Sequence, residues 1–342
     1  MSDLSPSPAP ASVVYAPAPK RGGVLTKLLT SVLLSLFVIS ILGNVYLGMI
    51  VASLTSGPSE TTFAEGDTLD RIVILPIIGS IDSDMASYVR KALDKIRKDP
   101  PAALILRVES GGGGVGASDQ IWHYVTEFKK ETQIPILASF GTVAASGGYY
   151  VAAPSDYILC EEAAITGSIG VIAQVPTVDG LMQKIGVSMN TIVAKGSYEK
   201  DLANNPFRAW TPEDAAVVQN LVDVFYDRFV AIVDEGRPNM TTEEVKTVAT
   251  GQVLTAGQAL DLKLIDEVGY LSDAITKAGQ LASLAGKPKV TIIRQPGGLG
   301  LLGLLGMSHP GLSAESPWSA QNLRSLANEL SEVRFDYRMQ LR

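Results

Sequence analysis

Ser146 stands in the segment Thr142-Val-Ala-Ala-Ser-Gly-Gly-Tyr-Tyr150, directly after the apolar run Ile134-Pro-Ile-Leu-Ala-Ser-Phe140. The apolar run reads as a buried strand, and the small residues on either side of Ser146 read as a tight turn into a helix. Such a junction lifts a hydroxyl clear of the backbone while a following amide points at the same spot. That is how a serine nucleophile and half of an oxyanion hole are built. The same residues also suit a turn that only lets a helix pack closely on a sheet.

A serine hydroxyl needs a group to take its proton. The chain has two histidines, His123 and His309. His123 lies in a helical stretch upstream of the serine, and His309 lies beside Pro310 in an atypical C-terminal region. Neither position reads as a strand end facing Ser146, so a Ser-His-Asp triad is not expected. A lysine can act instead if burial keeps it neutral. The loop after residues 190–194 offers two, Lys195 and Lys200. Cys160 is the only cysteine, which excludes a disulfide and a cysteine-based metal site. Its apolar neighbours Tyr157-Ile-Leu159 read as a strand, and its expected role is packing.

The elements that must position these groups follow from the patterning of 342 residues with net charge −7, a balance that argues against a nucleic-acid partner. Residues 1–27 form a Pro/Ala/Ser-rich tail that ends in Lys20, Arg21 and Lys27. Residues 28–54 carry no charge and are long enough to span a bilayer as one helix. Basic residues precede the span and Glu60, Glu65 and Asp67 follow it, which predicts a cytoplasmic tail and an extracytoplasmic remainder. Residues 55–70 read as a polar linker, 71–294 as one folded domain and 295–342 as an extension.

Within the domain, Ile72-Val-Ile-Leu75 is strand-like, and residues 83–98 have helical spacing with Met85, Val89, Leu93 and Ile96 on one stripe. Ala103-Leu-Ile-Leu-Arg-Val108 is a strand leading into the glycine run of residues 111–114, and a helix over 117–130 precedes the strand before Ser146. Strand, turn, helix, strand is a βαβ rhythm and predicts an α/β fold with a mainly parallel sheet. Further strands are expected at 157–160, 169–173, 190–194 and 290–293, with an irregular loop over 195–207. Thr211-Pro-Glu-Asp214 and Thr241-Thr-Glu-Glu244 are helix starts. Residues 256–262 and 272–284 are helical, and residues 319–338 carry leucines at helical spacing, which predicts an amphipathic helix in the extension.

Ala144-Ala-Ser-Gly-Gly-Tyr-Tyr150, Thr166-Gly-Ser-Ile-Gly-Val-Ile172, Gly196-Ser-Tyr-Glu-Lys-Asp201, Gly251-Gln-Val-Leu-Thr-Ala-Gly257 and Leu264-Ile-Asp-Glu-Val-Gly269 occur in one order. That order resembles the signal peptide peptidase A family of bacterial membrane-anchored serine peptidases, over about residues 71–272. The resemblance implies a crotonase/ClpP-like fold with a repeated ββα core, a Ser-Lys dyad and no cofactor or metal. It assigns Ser146 as nucleophile, Lys200 as general base with Lys195 as the alternative, and Ser168 as the residue that orients the lysine. Gly112 and Gly113 match the oxyanion loop and Gly147 the second donor, with Gly111 and Gly114 standing where the family carries proline and serine. The implied substrates are cleaved signal peptides and other unfolded or membrane-derived peptides. The implied partners are copies of the chain in a homo-oligomeric ring or dome, at the cytoplasmic (inner) membrane. Two alternatives are a crotonase-type enzyme acting on acyl-thioesters and an inactive membrane-anchored scaffold.

Overall fold

The computed structural model describes residues 23–55, 57–203, 205–295 and 334–338. They fall into two units divided after Thr55. The first holds the helix α1 (Val24–Thr55), whose 32 residues at 1.5 Å each extend about 48 Å. Its segment Thr26–Gly48 is long and apolar enough to cross a membrane. The helix therefore starts a little before the uncharged run, because Lys27 is as good a helix former as its apolar neighbours.

The second unit is an α/β fold. In chain order it contains β1 (Ser59–Ala64), β2 (Arg71–Ile78), α2 (Ser83–Lys98), β3 (Ala103–Ser110), β4 (Gly112–Gly114), α3 (Val115–Thr132), β5 (Ile136–Ala145) and α4 (Gly147–Ala152). Then follow β6 (Tyr157–Cys160), β7 (Ile165–Gly167), β8 (Ile172–Gln174), α5 (Asp179–Ile185), α6 (Pro212–Gly236) and α7 (Thr242–Val248). The last elements are β9 (Val253–Thr255), α8 (Ala256–Asp261), β10 (Glu267–Val268), α9 (Leu271–Leu281), β11 (Lys289–Arg294) and β12 (Arg334–Arg338).

The main sheet has the order β1-β11-β2-β3-β5-β6-β10, with β7 paired to β5 and β9 to β7. The pairs β11-β2, β2-β3, β3-β5, β5-β6, β5-β7 and β6-β10 are parallel. Parallel neighbours need a crossover, and α2, α3 and α4 supply three of them. Side chains alternate across each strand. Val73, Leu75 and Ile77 therefore join the core under α2 and α3, while Ile72 and Ile74 join a second core under Ala274 and Ala278 of α9. The α2 stripe is buried as its spacing predicts, and Asp82 caps the helix by accepting from the Met85 amide. The capping boxes at Thr211 and Thr241 both form.

Three readings of the sequence are corrected. The linker over 55–70 contains a strand, β1, which pairs antiparallel with β11. A polar segment suits that place, since an edge strand is paired on one side only; Glu60 accepts from the Thr291 hydroxyl at 2.6 Å there. Residues 190–194 form no strand: they are solvent-facing, with Ile192 93% exposed, and among the described residues nothing pairs with them. A strand without a neighbour leaves its backbone groups unpaired. In the extension, residues 334–338 are a strand rather than the end of a helix, paired with β4 and β8. The rest of the predicted helix, residues 319–333, lies outside the described residues, as does the tail over 1–22.

Cys160 is fully buried, and that burial pushes its thiol up to about 12. The native protein at pH 8 should give no reaction with a thiol reagent, and one thiol per chain after denaturation. Prompt labelling of the native state would show that the β6 edge opens readily.

Candidate active site

Three parallel strands end side by side: β3 at Ser110, β5 at Ala145 and β7 at Gly167, with Ser110 opposite Ala144 and Ala145 opposite Gly167. In open α/β sheets, ligands bind beyond these carboxyl ends. Ser146 follows β5 with φ 54° and ψ −118° and precedes α4. That backbone region favours glycine, and a serine held there is strained by about 1–3 kcal/mol. The turn is fixed by the Ser146 amide, which donates to the Gly167 carbonyl at 2.8 Å, and by the Tyr150 amide, which donates to the Ser146 carbonyl at 2.9 Å.

The helix after Ser146 can approach β3 only because residue 148 is glycine. A Cβ there would stand 2.5 Å from the Ser110 carbonyl oxygen. Below it, the Tyr149 hydroxyl donates to the Leu264 carbonyl at 2.6 Å, and burial pushes that phenol up to about 12. Tyr150 donates to Asp119 at 2.7 Å, tying α4 to α3.

The glycine run forms β4 rather than a loose turn. Ile81 holds one side of it, donating to the Gly112 carbonyl at 3.1 Å and accepting from the Gly114 amide at 2.9 Å. A side chain at residue 113 would collide with the Ile81 backbone, which gives a steric reason for glycine there. Gly112 has φ 99°, and its amide donates to the Ser110 hydroxyl at 3.0 Å. The Gly112 amide is therefore engaged within the chain. Gly113, whose amide lies on the side away from Ile81, is the better placed donor by alternation along the strand.

Ser168 lies one residue beyond the Gly167 carbonyl that receives the Ser146 amide. It is buried, has φ 51° and donates its own amide to the Gln252 carbonyl at 2.7 Å. The segment over 251–255 thus anchors Ser168 through β9. Ser146, Gly147, Gly112, Gly113 and Ser168 are brought to one end of the sheet by these contacts.

Lys200 and Lys195 are not brought there. Both sit in a 3₁₀ turn over Lys195–Asp201, Lys200 is exposed, and among the described residues no hydrogen bond joins either lysine to Ser146 or Ser168. What the structure does define is the base of this turn. Arg208 binds Asp201 at 2.7 Å and Asp214 at 2.5 and 2.7 Å, and Asp214 also accepts from the Ala203 amide at 2.7 Å. Asp214 is fully buried, yet the Arg208 hydrogen bonds hold its carboxyl well below the usual carboxylate range, and they lower Asp201 in the same way. Depressed carboxylates contribute stability that is present above their unfolded value near 3.9 and lost as pH falls toward the folded values. The clasp under Lys200 therefore stays closed from weakly acidic to alkaline pH.

Sequence reasoning missed Ser110, Thr166 and the Arg208–Asp214 pair. Ser110 orients Gly112, and the buried Thr166 hydroxyl donates to the Ala144 carbonyl at 2.6 Å, which pins the strand end before the nucleophile turn. A signal existed only for Asp214, as the third residue after the helix-capping Thr211.

The sequence pattern of Peptidase family S49 matches residues 128–285, a span that contains Ser146, Ser168 and Lys200. The Synechocystis sp. protein named "Putative protease slr0021" is 36% identical over 217 residues, covering 64% of this chain and 76% of its own. The Enterococcus faecium protein named "Putative signal peptide peptidase SppA" is 37% identical over 229 residues, 64% of this chain; the chain spans 65% of its length. Among solved structures, a ClpP1 mutant from Listeria monocytogenes aligns over 58% of this chain and 92% of its own, with a TM-score of 0.40 and 13% identity. The identity to the Synechocystis protein, the matched span and the arrangement around Ser146 agree: the chain belongs to Peptidase family S49.

Proposed function

We propose that this chain is a membrane-anchored serine peptidase with Ser146 as nucleophile and Lys200 as general base. The observation that carries the reading is Ser146 itself, held at φ 54° on a turn beside β4, with Ser168 one residue past its amide's partner. Neutral Lys200 takes the Ser146 proton as the serine oxygen attacks a peptide carbonyl. The Gly113 and Gly147 amides stabilise the oxyanion, with Gly112 shaping the strand that carries Gly113. The lysine then protonates the leaving amine, and water releases the acyl group. No metal or cofactor takes part.

Lys200 reaches Ser146 only once its exposed turn is covered, and a second copy of the chain is the covering partner. Supporting this, Leu181, Ile185, Val187, Met189, Ile192 and Tyr198 all expose apolar surface around that turn. The same contact builds a homo-oligomeric ring or dome. Its substrates are cleaved signal peptides and other unfolded or membrane-derived peptides, in keeping with the name of the Enterococcus relative. The helix α1 anchors the chain in the cytoplasmic membrane with the peptidase domain outside, following the basic residues before the span.

One experiment tests activity and orientation together. Intact spheroplasts expressing the full chain should hydrolyse fluorescently labelled unfolded casein added outside, with EDTA present, above the level of cells lacking it. Hydrolysis only after lysis would overturn the orientation, and none in either case would overturn the peptidase reading.

A further inference from the structure

The strand β12 belongs to the C-terminal region, yet it lies between β4 and β8, antiparallel to both. Tyr337 stands opposite Gly113, and Asp336 stands opposite both Gly114 and Ile172. Backbone groups alternate sides along a strand. Because the Gly112 carbonyl and the Gly114 amide are bonded to Ile81, the Gly113 amide and carbonyl face the other way, toward Tyr337. The strand also runs against α3 and against α4, the helix that Ser146 precedes. An extended segment of five residues thus fills the slot between the glycine strand and β8, beside the nucleophile turn.

An extended peptide binds an open sheet edge by adding a strand, with main-chain hydrogen bonds supplying affinity. β4 and β8 are two such edges facing one slot, and β12 satisfies both. We propose that residues 334–338, Arg-Phe-Asp-Tyr-Arg, are a resident occupant of this chain's own peptide-binding groove, and that they exclude other extended peptides until displaced. The groove rests on strand pairing alone; its meaning as a substrate groove rests on the peptidase reading above. The Tyr337 carbonyl takes the place that a substrate carbonyl would take at the Gly113 amide. A tethered occupant acts at an effective concentration on the order of millimolar, so a free peptide must compete with it.

Proline lacks the amide hydrogen and is excluded from the middle of a sheet. The full-length double variant Asp336→Pro/Tyr337→Pro should therefore vacate the groove, as should a chain ending at Val333. Three measurements on detergent-solubilised protein read the effect. A labelled synthetic peptide of sequence Arg-Phe-Asp-Tyr-Arg, followed by fluorescence anisotropy, should bind both variants at least ten-fold more tightly than wild type. The amides of Gly113 and Ile172 should exchange faster in both variants. For an unrelated unfolded peptide, KM should fall several-fold with kcat little changed.

Unchanged peptide affinity and unchanged exchange in both variants would overturn the inference, even where peptide hydrolysis is robust. Tighter peptide binding with no hydrolysis by any form would uphold the groove and sink the peptidase reading alone. Faster exchange with an unaltered KM for an active enzyme would show that the groove is not the substrate's, and would also overturn the inference.

Discussion

Ser146→Ala should lower kcat for unfolded casein by roughly 10⁵–10⁶-fold, the scale seen when a serine peptidase loses its nucleophile, equivalent to about 7–8 kcal/mol of barrier. The fold should survive, because alanine fits the same buried space and removes only a hydroxyl that has no side-chain partner among the described residues. Ser146→Gly sharpens the test. Glycine adopts φ 54° and ψ −118° freely, so relief of strain, less the extra chain entropy of glycine, should raise stability by about 1 kcal/mol over Ser146→Ala. Activity should be as low in either variant. Near-normal turnover in either would overturn Ser146 as nucleophile. A Ser146→Gly protein no more stable than Ser146→Ala in urea would show that the turn is not strained.

Lys200→Ala should cost at least roughly 10³-fold in kcat/KM, about 4 kcal/mol, since general-base transfer and its positioning are lost together. Lys200→Arg should fail as completely, because a guanidinium keeps its proton at any working pH. Lys195→Ala should stay within about two-fold. Both lysines are exposed in the single chain, so none of these changes should shift unfolding by more than about 0.5 kcal/mol. The clasp of Asp201, Arg208 and Asp214 stays ionised through neutral and alkaline pH, so any rise of activity there reports the base and not an ordering of the turn. A dead Lys195→Ala beside an active Lys200→Ala would move the base five positions upstream. Retained activity in the Lys195→Ala/Lys200→Ala double variant would remove the Ser-Lys mechanism.

Much of this protein is decided locally and is legible in the order of its residues. The α2 stripe, the capping boxes at Thr211 and Thr241, the α1 span and the strand–turn–helix around Ser146 depend on neighbours within a few residues. Helix caps and side-chain periodicity are short-range physics, so spacing alone specifies them. The parallel core follows nearly as directly, because apolar strands separated by helices leave few other ways to bury both faces.

The rest is decided by partners far apart in sequence. Residues 190–194 have the composition of a strand, but a strand exists only where another edge pairs with it, and none does so here among the described residues. Residues 334–338 have helical spacing when read with the residues before them, yet the two open edges of β4 and β8 draw them into a sheet. Ser110, whose hydroxyl holds the Gly112 amide, and Thr166, whose hydroxyl holds the strand end before Ser146, look like ordinary polar residues in the sequence. Their roles arise because β3, β5 and β7 end at the same level, a register set by long-range pairing and not by any local pattern. The sequence by itself thus determines which residues can do the chemistry. Tertiary structure decides which of them meet: Ser146, Gly113 and Ser168 within one chain, with Lys200 left exposed on a clasped turn.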